Sequence, residues 1–263
     1  MKTLSFGIFS ILIILGIYYL MQTKNNDHNL VRFIEYYYSS MAAPQINTPE
    51  AFVWFTGLNM PVSNAVTHFH YKENIPAHLE SILKIAPEGK PLSFWIDEFQ
   101  DATVLKEELE TRNFKKAVTI PFMVWNVAAL EKPTTEIKRT TPKTFDLFTR
   151  ILGSVFGLDD KTAHDYGILL GRSSAEHYII YVDEKAVGAG TLFVSGNTGL
   201  ILNIAVLPEY QRKGLGSAIS QFLMHRAYEL KLEKVVLNAN PAAISMYQKL
   251  GFKTTYDLDI YAK

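Results

Sequence analysis

Cysteine is absent from this 263-residue chain. Its absence excludes disulfide bonds, zinc sites built on thiolates and catalysis by a cysteine nucleophile. The cysteine content does not indicate an oxidising or a reducing compartment, because a chain without cysteine tolerates both. At this length the chain is long for a single small domain and about right for two.

An excess of either charge sign is also missing. The 26 Lys and Arg residues balance the 26 Asp and Glu residues, so the formal net charge is +0. A balanced chain has no overall field that attracts nucleic acid, and no basic run supplies a local one. We therefore predict that nucleic acid is not a partner.

Charged side chains are missing from a long segment at the amino terminus. Leu4 to Met21 spans 18 positions without one, which as a helix reaches roughly 27 Å, close to the thickness of the bilayer core. Tyr18 to Thr23 offers no small residues for signal cleavage. We predict a single-pass membrane anchor over residues 1–21, followed by a linker over 22–29. An exported form, and a soluble cytoplasmic protein that starts at Met21, remain as alternatives.

A glycine-rich turn is the most informative stretch that is present. Gln211-Arg212-Lys213-Gly214-Leu215-Gly216 follows an apolar run that reads as a strand, Leu200 to Leu207, and opens an amphipathic helix that includes Ser217. Such a turn directs several backbone N–H groups and the positive end of a helix dipole at one point, which suits a pyrophosphate. Arg212 and Lys213 add positive charge beside it.

The segment from Asn240 to Phe252 completes a second pattern, with Ala243, Tyr247 and Gly251 at set spacings. Together the two segments resemble the GNAT superfamily of acyl-CoA-dependent N-acyltransferases. That family has a phosphate motif Q/R-x-x-G-x-G/A and a later segment N-x-x-A-x-x-h-Y-x-x-x-G-F. The resemblance covers about the last 120 residues strongly.

The resemblance implies a mixed α/β fold with a central sheet flanked by helices, and an N-acetyltransferase that uses acetyl-CoA as cosubstrate and needs no metal. The acceptor would be an amine of a small molecule or a protein, and the catalytic domain would face the cytoplasm. The implied pantetheine strand is Ile204, Ala205 and Val206, and the implied general acid is the phenol of Tyr247. The implied cofactor-binding residues are Ile204, Ala205, Val206, Gln211, Arg212, Lys213, Gly214, Leu215, Gly216, Ser217 and Asn240.

A general base is not evident from the sequence. Many family members carry a carboxylate on the central strands, but Gly199 to Val206 contains none and has Asn203 instead. Glu176, His177 and Asp183 are open candidates, and water is another. A non-catalytic acyl-CoA-binding or interaction module therefore stays an alternative to an enzyme.

The chain also divides into two parts. Residues 30–133 resemble the degenerate amino-terminal half of tandem GNAT proteins, with Trp54-Phe55-Thr56-Gly57 and Pro91 to Trp95 but no phosphate motif. We predict this N-terminal half, a linker over 134–142 rich in threonine and bounded by proline, and a C-terminal domain over 143–263. The N-terminal half would wall the acceptor cleft. Within it, His68 and His70 have a spacing that can bind metal, but no third ligand is near in sequence, so we predict no metal site.

Overall fold

The structure, a computed structural model, describes residues 30–42, 44–98 and 101–263. The described residues form seven α-helices: α1 (Val31–Met41), α2 (Ile75–Ile85), α3 (Thr103–Thr111), α4 (Phe145–Phe156), α5 (Asp160–Leu170), α6 (Leu215–Glu229) and α7 (Ile244–Lys249). They also form eleven strands: β1 (Ile46–Asn47), β2 (Phe52–Phe55), β3 (Asn64–Thr67), β4 (Ser93–Asp97), β5 (Lys115–Asn126), β6 (Ile137–Arg139), β7 (Glu176–Val182), β8 (Lys185–Ser195), β9 (Thr198–Val206), β10 (Lys234–Asn238) and β11 (Lys253–Ala262).

One sheet contains all of these strands, in the order β1-β2-β3-β4-β11-β5-β10-β9-β8-β7-β6. Helices α4 and α6 both contact β8 and β9. A buried apolar core lies between α6 and the C-terminal strands, around Ile219, Leu223 and Val235, and a second core joins α2 and α3 to the N-terminal strands. The predicted α/β class, with a mixed central sheet flanked by helices, is confirmed.

Strands β7, β8 and β9 form an antiparallel meander. The β7–β8 hairpin closes through two residues, Asp183 and Glu184, whose φ angles are 47° and 63°. Positive φ at both central residues is the geometry whose twist matches that of the flanking strands. Asp183 therefore has a turn-forming role at this end of the hairpin.

Two long strands at the centre of the sheet serve both parts of the chain. Next to the parallel pair β3 and β4 come β11 and then β5, whereas next to the parallel pair β9 and β10 come β5 and then β11. Strand β5 of the N-terminal half thus pairs with β10 over Lys234–Asn238, and β11 of the C-terminal domain pairs with β4. Each part of the chain completes the sheet of the other.

The predicted linker over residues 134–142 contributes a strand to the sheet. Ile137, Lys138 and Arg139 pair with Ile180, Ile179 and Tyr178, and so form the β6 edge. Pairing with β7 supplies backbone partners for a stretch whose composition resembles a loop. The division of the chain into residues 30–133 and 143–263 stays a prediction.

The prediction of a single-pass membrane protein is wrong for the part of the chain that the structure describes. No helix there is long and apolar enough to cross a bilayer. The longest of them, α6, has 15 residues, whereas a span needs about 20 apolar residues. Leu4 to Met21, on which the membrane anchor and the localisation were predicted, lies outside the described residues, as does the 22–29 linker.

Candidate functional site

The candidate site begins where two parallel strands separate. Strand β9 pairs with β10 from Thr198 to Leu200 and no further, although β9 continues to Val206 and β10 to Asn238. Beyond Leu200, no strand among the described residues pairs with the edge of β9 that faces β10. An unpaired strand edge presents N–H and C=O groups that can bind an extended ligand.

A bulge in β9 lies on this unpaired stretch. Two residues, Asn203 and Ile204, stand between the positions that pair with Thr191 and Ala189, whereas β8 has only Gly190 there. Asn203 adopts the left-handed conformation, with a φ of 55°. A Cβ atom at Gly190 would lie 2.7 Å from Cγ1 of Ile219, so glycine allows α6 to pack closely against the bulge. The extra residue bends β9 away from a regular ladder.

The backbone N–H and C=O groups of Val206 point away from β8, and the carbonyl is bound by a side chain of the following turn. The N–H of Leu207 donates to the carbonyl of Val187 on the β8 side, so both backbone groups of Val206 point to the opposite side, because successive residues alternate. Its carbonyl accepts a 2.9 Å hydrogen bond from Nε2 of Gln211. The Gln211 side chain thus ties the turn to the end of β9. Ala205 is buried and Ile204 is partly exposed beside it.

The turn after β9 leaves the amino terminus of α6 open. Gly214 is the N-cap, with a φ of 81°, and has no side chain with which to cap the helix. The N–H groups of Leu215, Gly216 and Ser217 therefore have no intrahelical partner, since the first turn of a helix never provides one. The first turn contains no acidic residue. This end of α6 is an anion-binding geometry.

The two cations of the turn lie on its surface. Arg212 and Lys213 are exposed, and the Lys213 ammonium stands 5.1 Å from the ring centroid of Tyr210. Arg212 has a φ of 60°, a left-handed conformation that bends the chain into the helix. Both residues precede the Gly214 N-cap directly and add positive charge to the turn before α6.

Tyr247 projects from α7 towards the start of α6. Its side chain is 6% exposed, and burial raises the pKa of its phenol to about 12, although a hydrogen bond with Ser220 lowers it in part. The Ser220 hydroxyl in turn donates a 2.8 Å hydrogen bond to the carbonyl of Gly216. Tyr247 is therefore protonated at neutral pH and is linked to the glycine turn. Sequence reasoning missed Ser220, whose position four residues after Gly216 forms no recognisable motif.

Asn240 has a local structural role. It is exposed, and its Oδ1 accepts a 3.0 Å hydrogen bond from the N–H of Ala242. It thereby caps the one-turn 3-10 helix Pro241–Ala243 that precedes α7. Because α7 carries Tyr247, Asn240 fixes the entry of the chain into the helix that presents the phenol. Its predicted contact with cofactor stays a prediction.

The three candidate bases, Glu176, His177 and Asp183, have other structural roles or a lowered pKa. The hydrogen bond from Arg226 lowers the pKa of Glu176, which also pairs with Arg139. Burial lowers the pKa of His177 to about 4. Asp183 belongs to the β7–β8 turn. Among the described residues, none of the three forms a hydrogen bond with the unpaired edge of β9.

A ring of uncharged groups occupies the bulge instead. The Tyr166 hydroxyl donates to Oδ1 of Asn203 at 3.0 Å, Nδ2 of Asn203 lies 3.4 Å from the Tyr37 hydroxyl, and the two tyrosines bond to each other. Nδ2 of Asn203 also lies 3.3 Å from Oγ1 of Thr191, which bonds Nδ1 of His177. We call Tyr37, Tyr166 and Asn203 the tyrosine–asparagine ring. Burial raises the pKa of Tyr166 to about 12 and that of Tyr37 well above its usual value.

The N-terminal half has a charged cluster at the end of its own parallel pair. Glu35 is fully buried and accepts hydrogen bonds from Arg32 at 2.9 Å and from Thr67, while Nδ1 of His68 lies 2.6 Å from its Oε1. His68 has a φ of 49°. Within the described ranges no group of three or more metal-binding side chains is suited to hold a metal ion. We call Arg32, Glu35, Thr67 and His68 the Glu35 cluster.

Comparisons of the sequence place the C-terminal domain among acetyltransferases. The model of the Acetyltransferase (GNAT) family matches residues 142–252. The uncharacterized N-acetyltransferase YjcF of Bacillus subtilis is 31% identical over 81 residues, which are 31% of this chain and 58% of that protein. The glucosamine 6-phosphate N-acetyltransferase of Schizosaccharomyces pombe is 30% identical over 28% of this chain and 78% of its own length. The chain spans just over half the length of YjcF and of two further B. subtilis relatives.

Comparisons of the structure extend over both parts of the chain. A GCN5-related N-acetyltransferase from Kribbella flavida has a TM-score of 0.68 at 13% identity, covering 88% of this chain and 93% of its own. A tandem GNAT protein from the clavulanic acid biosynthesis pathway has a TM-score of 0.54 at 13% identity, covering 88% and 87%. At such low identity these similarities concern the fold alone. The S. pombe relative and the family model together establish that this chain belongs to the GNAT acetyltransferase family.

Proposed function

We propose that the C-terminal domain is an acyl-CoA-dependent N-acyltransferase that moves an acetyl group from acetyl-CoA to a primary amine by direct attack in a ternary complex. The observation that carries this proposal is the unpaired edge of β9, which is followed, after the turn over residues 207–213, by the amino terminus of α6 with its glycine N-cap. Such an edge suits an extended amide-containing chain, and such a helix end suits a pyrophosphate. Acetyl-CoA contains both, because its amide-containing pantetheine arm is joined directly to a pyrophosphate.

The cofactor residues then divide by role. The N–H groups of Gly214, Leu215, Gly216 and Ser217 would bind the pyrophosphate, with Arg212 and Lys213 adding charge. The free edge at Ile204, Ala205 and Val206 would pair with pantetheine through the groups that point away from β8. Gln211 supports this arrangement through its bond to the Val206 carbonyl, and Asn240 through the cap before α7.

The chemistry needs one bond made and one broken. The neutral amine attacks the thioester carbonyl and forms the N–C bond of a tetrahedral intermediate, which collapses to the amide as the C–S bond breaks. The protonated phenol of Tyr247 donates a hydrogen bond to the departing sulfur, and the proton that the amine loses ends on that thiolate. The products are an amide and free coenzyme A.

Thermal protection by acetyl-CoA tests cofactor binding, since a ligand that binds only the folded state stabilises it. We expect acetyl-CoA to raise the melting temperature of the wild type. Gly214→Val should abolish this shift, because a β-branched residue resists a φ of 81° and obstructs the backbone. Gly89→Val is the matched control, since Gly89 has a φ of 66° and open space around it. Equal protection in both variants would place the pyrophosphate elsewhere.

The ring at the bulge favours a second candidate function, a non-catalytic acyl-CoA-binding or interaction module. Where family resemblance implies a carboxylate, β9 carries the amide of Asn203, whose partners are neutral. A neutral amide cannot deprotonate an ammonium. Release of free thiol from acetyl-CoA with a panel of amines separates the two functions. Binding without turnover for every amine would favour the module.

We further propose that residues 30–133 are a degenerate GNAT-like half, joined through residues 134–142 to the acetyltransferase domain at 143–263. The repeated arrangement of a parallel pair beside two shared strands supports this division. The N-terminal half would wall the acceptor cleft, because its helix α1 reaches the β9 bulge through Tyr37. Deletion of residues 1–133 should leave β10 without its β5 partner. We therefore expect the remaining C-terminal fragment to be unfolded, as measured by circular dichroism.

A further inference from the structure

The tyrosine–asparagine ring joins three elements at the point where β9 leaves β10. Tyr37 comes from α1, Tyr166 from α5 and Asn203 from β9. The amide of Asn203 is used at both ends, since its oxygen accepts from Tyr166 and its nitrogen faces Tyr37 and Thr191. A side chain bonded at both ends has one rotamer, and the backbone to which it is attached is fixed with it.

Asn203 is the residue of β9 that most needs such support. Its φ of 55° lies in the left-handed region, which asparagine tolerates better than most residues but which still requires surrounding structure to maintain. The bulge at Asn203 and Ile204 turns the following residues away from a regular ladder. Holding Asn203 therefore holds the free edge at Ile204 to Val206.

Tyr37 is the member of the ring that belongs to the N-terminal half. Its side chain is 1% exposed, and its ring packs edge-on against Phe193 of β8 at a centroid distance of 5.5 Å. The ring atoms can thus pack on the sheet without the hydroxyl, whose partners are Asn203 and Tyr166. The hydroxyl and the ring have separable roles.

We propose that the hydroxyl of Tyr37 is a positioning group through which the N-terminal half sets the bulge of β9, and with it the edge that receives the acyl-CoA. The functional part of this inference rests on the proposed binding of acetyl-CoA. The structural part, that Tyr37 acts on β9 through Asn203, stands without it.

The neighbouring tyrosine provides a matched control. Tyr38 lies on the same helix, is 6% exposed, and bonds Ser63 while its ring stacks on Trp54. Tyr38→Phe therefore removes a buried hydroxyl from α1 that makes no hydrogen bond to Asn203 among the described residues. Any general loosening of α1 should appear in both variants, whereas an effect carried through Asn203 should appear in Tyr37→Phe alone.

Hydrogen–deuterium exchange of the full chain without cofactor is the first measurement. In Tyr37→Phe we expect the peptide that covers Leu200 to Val206 to exchange about threefold to tenfold faster than in the wild type, relative to β10, the range that one buried hydrogen bond supports. In Tyr38→Phe the same ratio should stay within about twofold. Equal ratios in the two variants would overturn the proposal.

A double-mutant cycle identifies the route. Asn203→Gly accepts the left-handed φ and removes the amide, so Tyr37→Phe should change exchange by less than about twofold in that background. An undiminished effect would show that Tyr37 does not act through Asn203. In steady-state thiol release, Tyr37→Phe should raise the KM for acetyl-CoA about threefold to tenfold with little change in kcat.

The two proposals fail in different ways. If acetyl-CoA does not stabilise the wild type, the proposed function fails, and the exchange data still decide on the ring. If acetyl-CoA stabilises the wild type while β9 exchanges alike in Tyr37→Phe and Tyr38→Phe, only the positioning role of Tyr37 fails.

Discussion

The two parallel strand pairs of this protein, β3 with β4 and β9 with β10, lead into helices that begin differently. Helix α6 follows β9 with Gly214 as its N-cap and Gly216 at its second position. Helix α2 follows β3 with Asn74 as N-cap, in the same left-handed conformation, and Pro76 at its second position. Both helices thus begin after a left-handed N-cap residue. Only α6 has an N–H group at its second position, because proline has no N–H.

The ends of the two pairs differ in charge as well. The β9 end carries the tyrosine–asparagine ring, whose groups are neutral, whereas the β3 end carries the Glu35 cluster, with a buried carboxylate beside Arg32. A buried ionised carboxylate is stable only with close partners. If acetyl-CoA binds at the β9 end as we propose, the shared strand arrangement does not by itself create a cofactor site. The turn residues and the groups around the strand ends then decide where one forms.

Tyr247 offers the strongest test of the view that only the C-terminal pair is catalytic. Tyr247→Phe keeps the ring that packs on Phe252 and removes the hydroxyl. If the phenol assists departure of the thiolate, kcat should fall by about 10² to 10⁴ with little change in acetyl-CoA affinity, since general acids contribute this much. The measurement is single-turnover thiol release. Near-normal turnover with chemistry limiting would return Tyr247 to a packing role.

Sequence patterns located the local features of this comparison and missed the distant ones. The glycine turn and the helix that it opens depend on neighbouring residues, and the structure has both at the predicted place. The roles of their side chains as cofactor ligands stay predictions. Gln211 shows the difference, because its bond to Val206 depends on the path of the turn.

Pairings between distant segments were not predictable from periodicity. Strand β11 was not recognised at all, and the position of β5 between β10 and β11 joins segments more than 100 residues apart. The left-handed φ of Asn203 follows from its register with β8, and the Tyr37 partner lies 166 residues away. An amphipathic pattern specifies which face is buried, but not which strand lies opposite.

Removing the charge of Glu35 should test the N-terminal side of the comparison. Glu35→Gln leaves the Arg32 guanidinium buried without its charge partner, and Nε of Arg32 already lacks a hydrogen-bond acceptor in the described residues. Breaking a buried pair costs about 3 to 5 kcal/mol of unfolding free energy, measured by urea denaturation at pH 7. Glu108→Gln is the control, because its pair with Arg112 is partly exposed and contributes about 0 to 1 kcal/mol.

The pH dependence of the unfolding free energy should also depend on the charge of Glu35. Burial by itself raises the pKa of Glu35, but the hydrogen bonds and charges of His68, Arg32 and Thr67 outweigh it and hold the pKa below its usual value of 4.5. A depressed carboxyl pKa adds stability above the unfolded value, which is lost as the pH falls below 4.5 towards the folded value. This loss of stability below pH 4.5 should be absent in Glu35→Gln. If Glu35→Gln and the wild type lose stability alike below pH 4.5, the lowered pKa of Glu35 is contradicted.

Converting the open helix end into the proline-bearing one tests the comparison most directly, although with the smallest expected effect. Gly216→Pro gives α6 the residue that α2 has at its second position, and proline is tolerated in the first turn of a helix. A Cβ at Gly216 would meet Sδ of Met246 at 3.5 Å, an ordinary contact, so the fold should persist. Only one N–H group is lost from the proposed pyrophosphate site.

Loss of one hydrogen bond to a charged group should weaken acetyl-CoA binding about tenfold, by isothermal titration calorimetry. Gly216→Ala is the matched control, because it adds the Cβ and keeps the N–H, and its affinity should stay within about twofold of the wild type. If both variants bind alike, the Gly216 N–H does not contact the cofactor, and the difference between Gly216 and Pro76 is not what separates the two helix ends. If only the proline variant weakens, one missing N–H accounts for part of that separation.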